Sequence, residues 1–180
     1  MHGANFEFLN EMKPKYLEYF SNCKVLEIGS CTSWNNNPPA FKGYFDNCEY
    51  TGIDIIEGEG VDIVVRAQDT VFPEKHFDTI LCFSVFEHDP DWKETLSHNL
   101  PFVKDGGMLF LAWGAEGNNP HKPYPFGVVT ERNFLDFVET LPVEVIESFF
   151  ECTRYKGCAR GGYVAILKVK RSGKYHKASI

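Results

Sequence analysis

The sequence predicts an α/β fold in which helices cover both faces of a doubly wound, mostly parallel sheet of seven strands. Residues 25–28 form a short apolar run that Gly29 ends, which is typical of a strand buried on both faces of a parallel sheet. The last two apolar runs are joined by a glycine-containing connection too short for a crossover helix, so they should form an antiparallel hairpin. The last strand is therefore reversed. The seven expected strands are residues 25–28, 50–55, 61–65, 77–86, 107–113, 143–150 and 163–170.

Three stretches between or beside these strands have helical spacing. Residues 6–20 carry apolar side chains on one helix face, and Pro14 predicts a kink or a division into two shorter helices. We expect this segment to cover the sheet, with a lid over a ligand as the alternative. Residues 91–103 and 131–141 are the other two helices, and Thr130 is a suitable N-cap for the second of these.

Length and composition predict one domain. A chain of 180 residues with 43% hydrophobic side chains can bury a core without a metal or a disulfide, and its six cysteines are scattered, which favours reduced thiols. We expect a single domain over residues 1–170 and a basic, flexible tail over residues 171–180. The sequence begins without a basic and then apolar leader pattern and has no run long enough for a membrane span, which predicts a cytoplasmic protein without a membrane partner. The formal net charge of −7 argues against nucleic acid as a partner.

Acidic residues lie where two neighbouring strands are expected to end. Glu27 interrupts an otherwise apolar strand, and a buried acid needs a positive or hydrogen-bonding partner. Asp54 stands near the end of the second strand, where a carboxylate can accept the two hydroxyls of a ribose. Gly29 allows a ligand to approach the main chain closely. The pattern predicts a positively charged, nucleotide-like ligand beyond the carboxyl ends of the strands.

These residues, with three later motifs, resemble the class I S-adenosylmethionine (AdoMet) dependent methyltransferases, in particular the small-molecule branch. The resemblance covers roughly residues 25–142 and depends on the order and spacing of five motifs, each of them weak alone. It departs from the family pattern at Cys31 and Ser33, where glycine is usual, and at Asp105, where proline is usual. The motifs are Glu27-x-Gly29, Asp54, residues 71–80, residues 85–88 and residues 103–107.

The resemblance implies a Rossmann-like methyltransferase fold with AdoMet as the cofactor. Glu27 would anchor the methionine part, with burial against a local partner as the alternative, and Asp54 would bind the ribose. Asp69 would read the adenine, or else form a turn with its own backbone. The expected cofactor-binding residues are Glu27, Gly29, Ser30, Cys31, Asp54, Ile55, Ala67, Gln68, Asp69, Phe83, Ser84 and Val85.

Methyl transfer from a sulfonium needs mainly alignment of donor and acceptor, so no catalytic side chain is obligatory. A histidine is a suitable general base for a hydroxyl or ammonium acceptor, and His88 and His121 are the candidates. His88 would otherwise cap a helix or line the pocket. Trp34 and Tyr124 are the candidate substrate-binding aromatics, and no metal site is expected.

The function that follows is methylation of a small-molecule acceptor at oxygen or nitrogen. One alternative is a methyltransferase-like module that binds cofactor or a partner without activity. Another is an NAD-dependent dehydrogenase, which the sequence disfavours because Gly29 stands without the rest of a Gly-x-Gly-x-x-Gly motif.

Overall fold

The computed structural model describes residues 3–32, 41–114, 129–155 and 161–171. A single seven-stranded sheet forms the centre of the fold. The strands, numbered in chain order, are β1 Lys24–Ile28, β2 Glu49–Asp54, β3 Ile63–Val64, β4 Phe77–Phe83, β5 Val103–Gly114, β6 Val143–Phe150 and β7 Gly162–Val169. Their order in space is β3-β2-β1-β4-β5-β7-β6. Strands β1 to β5 pair in parallel, and β7 runs antiparallel to both β5 and β6. The predicted fold class, including the reversed last strand, is confirmed.

Four α-helices accompany the sheet within the described residues: α1 Gly3–Lys15, α2 Trp92–Asn99, α3 Glu131–Val138 and α4 Glu151–Arg154. Thr130 caps α3, because its hydroxyl accepts a hydrogen bond from the backbone N–H of Asn133 over 3.1 Å. Helix α4 corrects the expectation that nothing helical separates the last two strands. A single turn is too short for a crossover, so the antiparallel pairing of β6 with β7 persists.

The helices bury both faces of the sheet. On one face α1 places Phe8, Leu9 and Met12 in a core with strand residues such as Phe110 and Val164. Pro14 lies in the last turn of α1, which ends at Lys15, and a 3₁₀ turn follows at Leu17–Tyr19. Helix α1 therefore packs on this face of the sheet, and the helical segment is interrupted after Lys15.

The opposite face is covered by α2 and α3. Trp92, Leu96 and Phe134 pack there on Leu109 and Leu111 of β5. Because the strands are enclosed on both sides, their apolar residues run almost without interruption, as the sequence indicated.

Two strand ends differ from the sequence prediction for backbone reasons. Strand β4 ends at Phe83, three residues early, because Ser84 adopts a left-handed conformation with φ of 57°. Strand β5 begins at Val103, four residues earlier than predicted, so it includes the segment that was expected to be a turn. Its pairing with β4 shifts register between Phe77 and Thr79. Gly106, with φ of 81°, absorbs the irregularity.

No helix among the described residues is long and apolar enough to cross a membrane. Residues 172–180, which include nearly all of the expected basic tail, lie outside the described residues.

Candidate active site

The turn after β1 depends on Gly29. Its φ is +81°, and a Cβ built on it would lie 2.3 Å from Cγ2 of Val85. The backbone N–H groups of Gly29 and Ser30 both donate to the carbonyl of Ile53, over 2.9 and 3.1 Å. These bonds hold the turn against the end of β2, so the β1 and β2 ends meet as the sequence predicted.

Asp54 connects the two strand ends through its carboxylate. Oδ2 accepts a hydrogen bond from the backbone N–H of Cys31 over 3.1 Å, and Oδ1 accepts one from Ile56 over 3.3 Å. A carboxylate has about four acceptor sites, so each oxygen retains capacity for a ligand hydroxyl. The side chain is half-buried. Cys31 and Asp54, which are 23 residues apart in sequence, are therefore direct neighbours.

Glu27 is buried and hydrogen-bonded to the neighbouring strand. Its side chain is 4% exposed, and the phenol of Tyr50 donates a hydrogen bond to its Oε2 over 2.5 Å. Burial raises the pKa of the Glu27 carboxyl to about 7, the Tyr50 hydrogen bond opposes the rise, and the nearby Asp54 and Asp62 add to it. The neighbouring charges that shift this pKa are both negative. The end of β1 is consequently an electronegative environment that favours a cationic ligand.

Ser30 packs between backbone segments. It is 1% exposed, and its Oγ, a buried atom without a hydrogen-bond partner among the described residues, would lie 2.7 Å from a Cβ on Gly52. Gly60 approaches more closely still, since its carbonyl oxygen would lie 2.1 Å from the same Cβ. The close packing of residues 30, 52 and 60 shapes the floor of the turn.

An exposed apolar side chain lies beside Asp54. Ile55, directly after the last residue of β2, is 70% exposed. Further along the chain, residues 67–69 form a 3₁₀ turn in which Ala67 is buried and Asp69 is exposed. The Asp69 N–H donates to the carbonyl of Arg66 over 2.9 Å, and Gln68 donates to both carboxylate oxygens of Asp89 over 3.1 and 3.3 Å.

The end of β4 presents mainly backbone to the site. Phe83 is 5% exposed and its ring packs on Phe8 and Phe41, so its side chain belongs to the core under α1. Ser84 is half-buried, and its N–H donates to the carbonyl of Ala112 over 2.8 Å. Val85 packs directly against the Gly29 turn.

Of the two candidate bases, only one can be placed. His88 is exposed at the end of a 3₁₀ turn, Phe86–His88. Its backbone N–H donates to the backbone carbonyl of Val85 over 2.8 Å. His121, together with the substrate candidates Trp34 and Tyr124, lies outside the described residues. No group of three or more metal-ligating side chains occurs within the part of the chain that the structure describes.

A pair of acids that the sequence analysis did not select lies over the end of β5. Gly114 and Gly162 are directly paired in the antiparallel β5–β7 ladder, so a Cβ on each would point to the same face. A Cβ on Gly114 would lie 3.4 Å from Oε1 of Glu87, and one on Gly162 would lie 2.6 Å from Oε2 of Glu151. Both carboxylates therefore lie close to the sheet backbone at Gly114 and Gly162, which have no side chains.

Glu87 has the properties of a functional acid. Burial raises the pKa of its carboxyl to about 7, the backbone N–H of Gly114 opposes the rise, and Glu151 adds to it. Its Oε2 is buried and has no hydrogen-bond partner among the described residues. Glu151 itself is 4% exposed. The sequence signal was the position of Glu87 directly after the fourth strand; Glu151 had none, because only the β5–β7 pairing brings it near.

Comparison with known proteins identifies the family of this chain. The model of a family described as "Methyltransferase domain" matches residues 1–122, more than half of the 180-residue chain. The chain therefore belongs to this methyltransferase family, and its strand order is that of the class I AdoMet-dependent enzymes. Membership of the family implies AdoMet as the cofactor. A search of curated proteins finds no significant match.

Solved structures with the same fold include several small-molecule methyltransferases. A 1,6-didemethyltoxoflavin-N1-methyltransferase from Burkholderia thailandensis, solved with 1,6-didemethyltoxoflavin and S-adenosylhomocysteine bound, has a TM-score of 0.70 at 14% identity, over 94% of this chain and 79% of that one. The N-methyltransferase NodS from Bradyrhizobium japonicum WM9 has a TM-score of 0.66 at 13% identity, over 93% and 97% of the two chains.

The fold also serves another activity. The [4+2]-cyclase SpnF matches with a TM-score of 0.64 at 11% identity, over 90% of this chain and 81% of that one. Identities this low show a common fold, and the reaction of this chain has to be argued from its own residues.

Proposed function

We propose that this chain binds AdoMet at the carboxyl ends of β1 and β2 and transfers its methyl group to a small-molecule acceptor. The observation that carries the proposal is the meeting of the Gly29 turn with two carboxylates, Glu27 and Asp54, on adjacent strand ends. AdoMet, when bound, supplies a methyl group on a positively charged sulfur that is displaced in line by the acceptor.

The described residues fit this cofactor chemically. Glu27 would face the positively charged methionine part of AdoMet. That positive charge would favour the ionised form of the Glu27 carboxyl. The remaining acceptor sites of Asp54 would take the ribose hydroxyls, as a strand-end acid does in nucleotide-binding sheets. The exposed side chain of Ile55 would be covered by the adenine ring, which would remove apolar surface from water.

Other predicted cofactor residues would act through their backbone or by shaping the site. The side chain of Phe83 is in the core, so the main chain of residues 83–85 is the part available to a ligand. Ser30 and Cys31 hold the turn in place, and Ala67, Gln68 and Asp69 would border the adenine. His88 and His121 remain candidate bases, and Trp34 and Tyr124 remain candidate acceptor contacts.

We infer further that the acceptor atom is a nitrogen. Glu87 and Glu151 place two carboxyl groups over the glycine pair at the end of β5, next to the β4 end that packs on the Gly29 turn. A buried carboxylate attracts a positively charged ammonium group more strongly than a neutral alcohol, because a hydrogen bond between two ionised groups is the stronger one. A carboxyl with a pKa near 7 can also accept the proton that an ammonium must lose before its nitrogen attacks a methyl group. N-methylation by the two solved relatives named above supports the same choice.

Calorimetric titration tests the cofactor assignment. AdoMet and S-adenosylhomocysteine should each bind at one site per chain, and NAD should give no heat. Binding of NAD in place of AdoMet would contradict the assignment. AdoMet binding without turnover on any acceptor would support the inactive module.

The acceptor class is tested by measuring S-adenosylhomocysteine formation with matched pools of small primary amines and of alcohols with the same carbon skeletons. We expect turnover with amines, and a decrease in kcat/KM of roughly tenfold or more in Glu87→Gln. The affinity for AdoMet should be unchanged in this variant. Turnover with the alcohols alone would exclude the nitrogen acceptor and leave the AdoMet assignment intact. A cytoplasmic location and the absence of a nucleic-acid partner stay predictions.

A further inference from the structure

Two cysteine side chains meet at the amino ends of β1 and β2, at the opposite end of these strands from the candidate active site. The Sγ atoms of Cys23 and Cys48 are 3.0 Å apart. The backbone N–H of Cys23 also donates to Sγ of Cys48 over 3.4 Å. No other pair of thiols in hydrogen-bond contact occurs among the residues that the structure describes.

The backbone holds the two cysteines side by side. Each cysteine follows an asparagine in the left-handed conformation, Asn22 and Asn47, both with φ of 54°. The side-chain amide of Asn47 donates to Oδ1 of Asn22 over 2.6 Å, and the N–H of Glu49 donates to the carbonyl of Cys23 over 3.0 Å. The chain therefore presents the same Asn-Cys turn twice, side by side.

The spacing of the two strands suits a disulfide. Lys24 and Glu49 are paired residues of the parallel β1–β2 ladder, and the cysteines directly precede them. Neighbouring strands lie about 4.7–4.9 Å apart, which falls within the Cα separation of about 4.4–6.8 Å found in disulfides. A bond between the sulfurs therefore requires little movement of the backbone.

One of the two thiols is accessible. Cys23 is 6% exposed, and burial followed by its contact with Cys48 raises the pKa of its thiol. Cys48 is partly exposed, whereas Cys23 is buried. Cys48 is the thiol that a small reagent in solution would reach first.

We propose that Cys23 and Cys48 are an oxidation site at which hydrogen peroxide converts the two thiols into an intrachain disulfide. The Cys48 sulfur attacks one oxygen of the peroxide and breaks the O–O bond, which gives a sulfenic acid and one molecule of water. The Cys23 sulfur then attacks the Cys48 sulfur, the S–O bond breaks, and a second water leaves with the Cys23 proton. Two thiols lose two electrons in total, and the peroxide accepts them.

The cross-link joins the starts of two strands and leaves the candidate cofactor site open. It closes the segment 23–48, which contains β1 and the Gly29 turn. Gly29 follows Cys23 after the five residues of β1, so the turn lies about 20 Å away at a rise of about 3.3 Å per residue. A loop closed in this way restricts the unfolded chain, so oxidation should stabilise the fold. Because the site depends only on the thiol geometry, it does not depend on the proposed function.

Peptide mapping tests the proposal on the folded, full-length protein. The protein is treated with hydrogen peroxide, residual thiols are blocked, and tryptic peptides are analysed by mass spectrometry without reduction. Trypsin separates Cys23 in peptide 16–24 from Cys48 in peptide 43–66 and from Cys31 in peptide 25–42. We expect one main product, peptides 16–24 and 43–66 linked with a loss of two hydrogens, and a rise in Tm that dithiothreitol reverses.

Matched variants decide whether the pair acts as proposed. Cys82→Ser, a change at a buried thiol in β4, should leave the linked product unchanged, whereas Cys48→Ser should abolish it. In Cys23→Ser, Cys48 should stop at the sulfenic acid, which dimedone traps. Oxidation of Cys48 to sulfinic acid in the parent, or a link that forms only in urea, would overturn the proposal. Both outcomes are read in the parent, so they do not depend on the variants folding.

Discussion

The phenol of Tyr50 donates a hydrogen bond to Oε2 of Glu27 over 2.5 Å, between adjacent parallel strands. This contact accounts for how an acid can stand inside an apolar strand. The carboxyl is buried, its pKa is raised to about 7 by that burial, and the Tyr50 hydrogen bond is the contribution that opposes the rise. Because this pKa lies near neutral, we expect the free energy of unfolding and, if the proposed site is correct, the affinity for AdoMet to depend on pH.

Removal of the Tyr50 hydroxyl should be more harmful at high pH. In Tyr50→Phe the ionised Glu27 loses its donor, and we expect the free energy of unfolding to fall by about 1–2 kcal/mol at pH 8. At pH 5, where Glu27 is protonated, the decrease should be smaller. Urea unfolding at both pH values measures the difference.

Tyr19→Phe is the matched control, because the Tyr19 hydroxyl donates to the carbonyl of Gly106, a neutral acceptor, over 2.8 Å. Its loss of stability should be the same at both pH values. If the loss of unfolding free energy in Tyr50→Phe were as independent of pH as that in Tyr19→Phe, Tyr50 would not stabilise an ionised Glu27.

Glu27→Gln should flatten the dependence of stability on pH. The pKa of Glu27 is about 7 in the folded protein and 4.5 without burial. The stabilisation that the folded state gains from holding this carboxyl protonated is therefore fully present below about pH 4.5 and is lost as pH rises through 7. The parent should lose up to about 3 kcal/mol of unfolding free energy over this window from this residue alone. Glu87 acts in the same direction, since its pKa is also raised to about 7.

Urea unfolding at half-unit steps from pH 5 to 8 measures the slope. Glu27→Gln and Glu87→Gln should each have a shallower decline than the parent, and the double variant should have the shallowest. A parent whose stability rises through this window would contradict the raised pKa values. In calorimetry, AdoMet affinity of the parent should rise from pH 6 to 8 as Glu27 ionises, and Glu27→Gln should lack that rise.

Gly29→Ala should disrupt the cofactor turn. The new methyl group would lie 2.3 Å from Cγ2 of Val85, and the φ of +81° is unfavourable for alanine. Strain of this kind costs about 1–3 kcal/mol, and we expect a lower Tm together with weaker AdoMet binding. Gly43→Ala is the control, because a Cβ there would have nothing within 4 Å. A Gly29→Ala protein with the stability and affinity of Gly43→Ala would contradict the described turn.

Asp54→Ala should weaken cofactor binding without a large change in fold. Loss of a charge-assisted hydrogen bond to a ribose hydroxyl corresponds to about 1.5–3 kcal/mol, or roughly a tenfold or greater rise in Kd. Titration with S-adenosylhomocysteine measures it. Asp136→Ala removes an exposed carboxylate whose neighbour is Arg132 on α3, and it should bind normally. An unchanged Kd in folded Asp54→Ala would remove this residue from the proposed site.

Local patterns predicted the local features well. The cap at Thr130, the interruption of α1 near Pro14 and the hairpin of β6 and β7 were each visible in a few consecutive residues. The early end of β4 was not visible, because apolar residues continue past Phe83 while the backbone turns at Ser84. The early start of β5 was also missed, because Gly106 and Gly107 indicate a turn, whereas the strand already pairs at Val103 with Phe77 of β4.

The candidate site divides in the same way. Glu27, Gly29 and Asp54 could be recognised because each stands at the end of its own strand, and parallel strands bring their carboxyl ends to one edge. The partners of these residues were hidden in the sequence. Tyr50 lies 23 residues from Glu27, and nothing local indicates that its hydroxyl reaches the carboxyl.

By itself the sequence determined the fold class, the order of the strands along the chain and the strand ends at which acids stand, since each depends on short-range hydrophobic periodicity and on glycine and proline. The tertiary structure alone decided which side chains are neighbours: Tyr50 with Glu27, Cys23 with Cys48, and Glu87 with Glu151 over two paired glycines. The physical reason is that pairing register and burial are properties of the assembled sheet. They set the distance between residues that are remote in sequence and remove water from around their charges.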